Sequence, residues 1–247
     1  MSDKRPLVLS IAGYDPTGGA GVLADMKTLE QCRVQGMAVL TAHTLQTENT
    51  LLDITWCSLA VVIRAIDTLM SAYDFRVVKI GIVPDRVFLD TILKTVRQHN
   101  PDIFIIWDPV LSSSSGFRFF RQDDLATLAP LLESIHLLTP NYPEYRLMQQ
   151  YGLYSGASER TGAVLLKGGH SEKNPGVDLL LEKGGSTVFP PGKIVPYAKH
   201  GSGCILSAAI AGSLATGASL HDAVRFGKRY VEGILNSNTS LLGYHYL

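Results

Sequence analysis

The chain has 247 residues, 46% of them hydrophobic and 18% charged, which is the composition of a folded domain with a large core and excludes a disordered chain. Lys plus Arg number 22 and Asp plus Glu number 22, so no net field draws it to nucleic acid or to an anionic membrane, and any phosphate must be gripped locally. Cys32, Cys57 and Cys204 are odd in number, far apart and without metal-type pairing, which argues against a disulfide framework or zinc site and for a reducing compartment.

The first residues run into a short apolar stretch with no signal-length region, and no apolar run approaches the ~20 residues that span a bilayer. One cytoplasmic domain over residues 1–247 is expected. Residues 7–12 read as a strand and 20–31 as a helix, joined by the glycine cluster Gly13-Tyr14-Asp15-Pro16-Thr17-Gly18-Gly19-Ala20-Gly21. That cluster lacks both the Gly-Lys-Ser/Thr ending of a P-loop and the full dinucleotide spacing, and is left as a wall for a flat ligand. A strand over 37–45, a helix over 60–70 and a strand over 76–82 follow. In the helix over 86–98, Val87, Phe88, Ile92, Leu93 and Val96 share one side.

Strands over 103–110, 135–138 and 163–166 complete six apolar runs, each expected to be buried on both faces, with a helix over 124–132 among them. Ser112 to Ser115 read as a flexible loop after a strand. A hairpin over 177–181 and 187–189 and two closing helices, 203–215 and 220–236, end the pattern. The segment after Asn236 has no clear period. Alternating strands and helices build an α/β fold, a mainly parallel sheet covered on both faces, with ligands beyond the carboxyl ends of the strands.

His200-Gly201-Ser202-Gly203-Cys204 opens a helix of small and apolar residues. Glycines let backbone approach a phosphate, the first turn leaves N–H groups unpaired, and the helix dipole adds positive potential. An ordinary glycine turn has the same look. Cys204 in that first turn is either a buried structural cysteine or a reactive one whose thiolate the helix end favours. Asp108 ends one strand, and Asn141 and Glu144 follow another. Such oxygens suit Mg²⁺, but equally suit a turn cap and a first helical turn. Lys167 follows the strand over 163–166, as a solvated lysine or a phosphate contact. All would share one sheet rim, where phosphoryl transfer needs them.

The chain resembles the hydroxymethylpyrimidine (phosphate) kinases of thiamine biosynthesis, in the ribokinase-like superfamily. The pieces that carry the resemblance are residues 11–21 with Ala24-Asp25-Met26-Lys27-Thr28, then Gln46, Lys79-Ile80-Gly81-Ile82, Asp108-Pro109-Val110, Thr139-Pro140-Asn141, Lys167-Gly168-Gly169-His170 and residues 200–204. The resemblance implies a three-layer α/β/α sandwich with an edge hairpin, and ATP with Mg²⁺ as cofactors. It implies Gly201, Ser202, Gly203 and Cys204 as anion hole, with Cys204 catalytic. Asp25 and Gln46 would bind the aminopyrimidine, with Gly13, Ala20 and Ile82 around its ring. Asn141, Lys167 and Lys228 would contact the nucleotide, and Asp108 and Glu144 would organise Mg²⁺. A homodimer or larger homo-oligomer is implied, acting on a small heterocyclic alcohol or its phosphate. Tyr14 stands where the family usually has Ser, and residues 46–50 are longer than the family's Gln-Asn-Thr. Pyridoxal kinase is the nearest rival function. A non-catalytic ligand-binding regulator is a rival from another class.

Overall fold

A computed structural model describes residues 4–113, 116–153, 162–170, 175–192 and 197–246. Its strands are β1 Leu7–Tyr14, β2 Gln35–Gln46, β3 Leu51–Trp56, β4 Phe75–Ile80, β5 Phe104–Trp107, β6 Leu137–Leu138, β7 Ala163–Leu166, β8 Asp178–Glu182 and β9 Gly185–Phe189. They form one sheet in the order β3-β2-β1-β4-β5-β6-β7-β8-β9. The six strands from β2 to β7 in that order are parallel, and correspond to the six apolar runs. Antiparallel strands close both edges: β3 on β2, and the β8–β9 hairpin on β7.

Period-two alternation along the strands divides the core. Leu9, Ile11, Val78, Ile80, Ile105 and Trp107 face one apolar cluster, packed against α2 Leu59–Ala72 and α3 Arg86–His99. Val8, Val77, Ile106 and Leu137 face the other, packed against α1 Gly21–Gln31, α6 Ser202–Ala215 and α7 Leu220–Leu235. Two short helices, α4 Ala129–Leu132 and α5 Tyr142–Gln150, flank β6 in the chain.

Several expected boundaries differ for local reasons. The strand expected to reach 110 stops at Trp107, because Pro109 has no N–H for the ladder. The helix expected over 124–132 is a 3-10 turn, Gln122–Thr127, followed by the single turn of α4 with Pro130 in its first positions. Strand β2 is not buried on both faces; beyond Ala42 it runs out to pair β3, and Leu45 is 61% exposed. The hairpin connection shortens to Lys183-Gly184, with Gly184 at φ 92. Ser114 and Ser115 of the expected serine loop lie outside the described residues.

Candidate active site

Asp15 shapes the glycine loop between β1 and α1. Its carboxylate accepts from Thr17 N at 2.9 Å, Thr17 Oγ1 at 2.8 Å and Ala20 N at 2.8 Å. His200 Nε2 reaches the same carboxylate at 2.8 Å, joining this loop to the residue before Gly201. Although burial opposes it, His200 and Thr17 hold Asp15 below the usual carboxylate range. Gly201 adopts φ 72, and a Cβ there would lie 2.0 Å from Gly19 O. The two glycine-rich segments therefore meet backbone to backbone, a contact that only glycine permits.

Gly201 is the N-cap of α6 and offers no side-chain cap. The first helical bond runs from Ile205 N to Gly201 O at 3.0 Å, so the amides of Ser202, Gly203 and Cys204 point ahead of the helix, where an anion is favoured. A cation stands beside them. A Cβ on Gly203 would lie 2.9 Å from Lys167 Nζ and 3.8 Å from Asp108 Oδ2.

Asp108 is fully buried at the end of β5. Its Oδ1 accepts from Lys167 Nζ at 2.8 Å and Thr139 Oγ1 at 2.9 Å, and Oδ2 from Ser207 Oγ at 3.3 Å. Burial works against this carboxylate, yet Lys167 first, then Lys79, keep its pKa below the ordinary value. Asn141 and Glu144 form a reciprocal cap on α5: Asn141 Oδ1 accepts from Glu144 N at 2.9 Å, and Glu144 Oε2 from Asn141 N at 2.8 Å. Asn141 is bridged to Lys167 across the strand ends. Burial pushes Glu144 up to about 7, against the pull of Lys167 and with the push of Asp108.

The anion-hole turn, Asp108, Asn141, Glu144 and Lys167 are thus gathered on one rim. Lys228 is not in direct contact with this group. Its ammonium is 2.9 Å from Asp178 Oδ2 and bonded to Gly176 O, and Asp178 Oδ1 accepts from Gly168 N at 2.7 Å. On the substrate side, a Cβ on Gly13 would lie 2.5 Å from Ile82 Cδ1, and Thr41 Oγ1 holds Ile82 O at 2.8 Å. Ala20 backs the Gly201 turn, its Cα 2.7 Å from where a Gly201 Cβ would stand. Gln46, half-buried at the end of β2, has no side-chain hydrogen bond among the described residues.

Asp25 has no exposed surface. Lys79 Nζ lies 2.7 Å from each of its oxygens, and Ser10 Oγ donates to one at 2.5 Å. Burial drives the Asp25 carboxyl above its usual range against the pull of Lys79. Burial also works against the Lys79 ammonium, yet Asp25 foremost, then Cys204 and Asp108, hold its pKa above the usual value. The reading of Cys204 as a thiolate favoured by the helix end is corrected: burial pushes its thiol up to about 11, against the pull of Lys79.

Sequence reasoning assigned no role to Lys79, Asp15, His200, Thr139 or Ser207. The signal for Lys79 was present, since a lysine inside Val77-Val78-Lys79-Ile80 must find a buried carboxylate. Thr139 and Ser207 carry no such mark, being ordinary polar residues until Asp108 lies between them.

Among the described residues no three His, Cys, Asp or Glu side chains are grouped to hold a metal ion, and both Asp108 oxygens are engaged. The charge nevertheless fits a divalent cation. Two buried carboxylates, Asp108 and Glu144, lie near the ammonium of Lys167, so a cation arriving with phosphates meets negative charge here. That suits a cation carried in on phosphate oxygens with its waters, as Mg²⁺ prefers, rather than one caged by the protein.

Phosphoryl transfer asks little covalent chemistry of a protein and much positioning. A helix N-terminus facing a lysine and two carboxylates, at the carboxyl ends of parallel strands, supplies it on the sheet of a ribokinase-like small-molecule kinase. Residues 15–246 match the family described as phosphomethylpyrimidine kinase, and the chain belongs to that family. The hydroxymethylpyrimidine/phosphomethylpyrimidine kinase of Rhizobium meliloti (strain 1021) is 35% identical over 243 residues, covering 94% of this chain and 91% of that protein. The crystal structure of phosphomethylpyrimidine kinase from Clostridium difficile 630 is 28% identical with a TM-score of 0.73, covering 92% of this chain and 98% of that one. Bacillus subtilis pyridoxal kinase, solved as an ADP complex, shares the fold with a TM-score of 0.83 at 22% identity, covering 98% and 97% of the two chains.

Proposed function

We propose that this kinase moves the γ-phosphate of ATP onto the hydroxymethyl oxygen of hydroxymethylpyrimidine, and onto the phosphate of the resulting monophosphate. The uncapped first turn of α6, set against Lys167 and Asp108, is the observation that carries the reading. The amides of residues 201–204 receive the transferring phosphate, and Lys167 stabilises the charge it develops. Asn141 orients the nucleotide phosphates. Asp108 fixes Lys167, and with Glu144 it would hold the Mg²⁺ that accompanies ATP, an ion that would supply neutralising charge. Lys228 acts on the nucleotide side by steadying residues 167–168 through Asp178.

For the acceptor, the Gln46 amide can donate and accept at once, matching a ring nitrogen beside an exocyclic amine. Gly13, Ala20 and Ile82 wall the ring. Asp25 meets the ring only if its shell of Lys79 and Ser10 opens, so the direct polar contact falls first to Gln46. Cys204 faces the acceptor hydroxyl and assists its deprotonation. Pyridoxal phosphorylation is the second reading, supported by the shared fold, and Gln46 favours the pyrimidine over it. Cytoplasmic work, supported by the free cysteines, and a homodimer or larger assembly, supported by the family resemblance, complete the proposal. No described helix is long and apolar enough to cross a membrane. Incubation with ATP·Mg²⁺ and each acceptor, followed by mass, is expected to yield the monophosphate and then the diphosphate. ADP release without a phosphorylated acceptor would sink the reading.

A further inference from the structure

The segment after α7 folds back over the stem of the anion-hole turn. Lys199, two residues before Gly201, is only 6% exposed. Its ammonium donates to the backbone carbonyls of Asn238 at 2.6 Å and Ser240 at 2.7 Å. Among the described residues no carboxylate pairs with it. The next residue is held the same way, His200 N donating to Leu241 O at 2.9 Å. Leu242 Cδ2 and His200 Cδ2 both lie 2.8 Å from the place a Cβ on Gly19 would take, so the segment also touches the glycine loop.

Asn238 shapes the receiving turn. Its Oδ1 accepts from Ser240 N at 2.8 Å, and its Nδ2 donates to Leu242 O at 3.0 Å. Two carbonyl oxygens aimed at one point repel unless a donor stands between them, and a charged donor is the stronger one. Asn238 holds the turn's form, and Lys199 offsets the repulsion of the two carbonyls and ties the turn to the stem of residues 201–204.

The anion-hole turn has no side-chain cap of its own, so the direction of its amides depends on what grips residues 199 and 200. Asp15 grips His200 from the glycine loop. The carbonyls of residues 238–241 grip from the other side. We propose that Lys199, clamped between the Asn238 and Ser240 carbonyls, is a positioning residue for phosphoryl transfer that sets the orientation of the 201–204 amides. Lys199 touches no reacting atom in this arrangement. Misdirected amides weaken stabilisation of the transferring phosphoryl more than ground-state nucleotide binding, which many other contacts share.

The inference rests on the anion-hole reading above, so wild-type turnover is measured first; its absence overturns that reading and the clamp with it. In an active wild type, Lys199→Ala should lower kcat by ~10–100-fold, with ATP stoichiometry by calorimetry unchanged. Ammonium chloride, which can refill the gap between the two carbonyls, should restore several-fold of that loss where sodium chloride at equal ionic strength does not. Undiminished kcat overturns the clamp and leaves the kinase standing. So does a loss that follows the fraction of protein able to bind ATP and ignores ammonium, the signature of a merely structural lysine. If Lys199→Ala does not fold, Asn238→Ala decides: a smaller fall in kcat at full ATP stoichiometry supports the clamp, and wild-type kcat overturns it.

Discussion

Cys204 poses the sharpest question at the scale of single residues. With its thiol pushed up to about 11 by burial, the free enzyme holds it protonated at neutral pH. The kcat/KM for an alcohol acceptor reports groups of the free enzyme, and should therefore rise with pH through the alkaline range. Cys204→Ala should flatten that rise and lower kcat for the alcohol by the ~10²–10⁴ typical of removing a general base. ATP affinity should persist, because the backbone amides survive the substitution. Transfer to the monophosphate should suffer less, since that acceptor oxygen is already largely deprotonated. Undiminished alcohol phosphorylation removes Cys204 from the chemistry. Glu144 makes a second, independent test. Its pKa rises from 4.5 unfolded to about 7 folded, so the folded state keeps a proton that the unfolded chain has lost. The stability this contributes is complete below 4.5 and disappears as pH climbs through 7. Glu144→Gln can keep the reach-back bond to Asn141 N, and should flatten the dependence of Tm on pH. Above pH 7 it should stabilise the empty protein by about 1–3 kcal/mol. A Tm profile identical to wild type contradicts the raised value.

The α6 turn shows what one element contributes. Gly201→Ala forces a Cβ onto Gly19 O at a φ of 72 and should abolish nucleotide binding as well as lower Tm. Gly217→Ala is the control: φ is 96 there with nothing within 4 Å, so it should cost about 1–2 kcal/mol of backbone strain and leave binding intact. Equal nucleotide affinity in Gly201→Ala and wild type would contradict the anion hole. This turn was legible in the sequence through the resemblance carried by residues 200–204, since glycines before a small-residue helix alone look like an ordinary turn. The six parallel strands were legible too, being continuous apolar runs. Strand β3 was not, because on an edge Leu52 can stand 68% exposed and the pattern loses its contrast. Helix α5 buries only Glu144 and Met148, so it shows no apolar stripe, and its start is marked by a cap rather than by periodicity. The burial of Asp25 was likewise hidden. Its partners Lys79 and Ser10 come from β4 and β1, which only the sheet order brings side by side.

Across the whole molecule, one sheet separates two apolar cores and collects at its rim the groups that phosphoryl transfer uses. The face packed by α1 and α6 carries the buried Asp25–Lys79 pair as well as the first turn of α6. Removing one partner of such a pair is costly, about 3–5 kcal/mol, so the pair keeps α1 and β4 in one arrangement. In the proposed reading, Gln46 at the far end of β2 meets the acceptor, and the choice between a pyrimidine and a pyridine ring rests on that amide. A buried ring amine left unsatisfied loses more than an apolar mismatch does. The most direct measurement is kcat/KM with ATP·Mg²⁺ for hydroxymethylpyrimidine and for pyridoxal, taken side by side on the same protein. The account predicts phosphorylated hydroxymethylpyrimidine with the higher kcat/KM. A kcat/KM for pyridoxal equal to or above that of the pyrimidine, or no transfer to either, would contradict it.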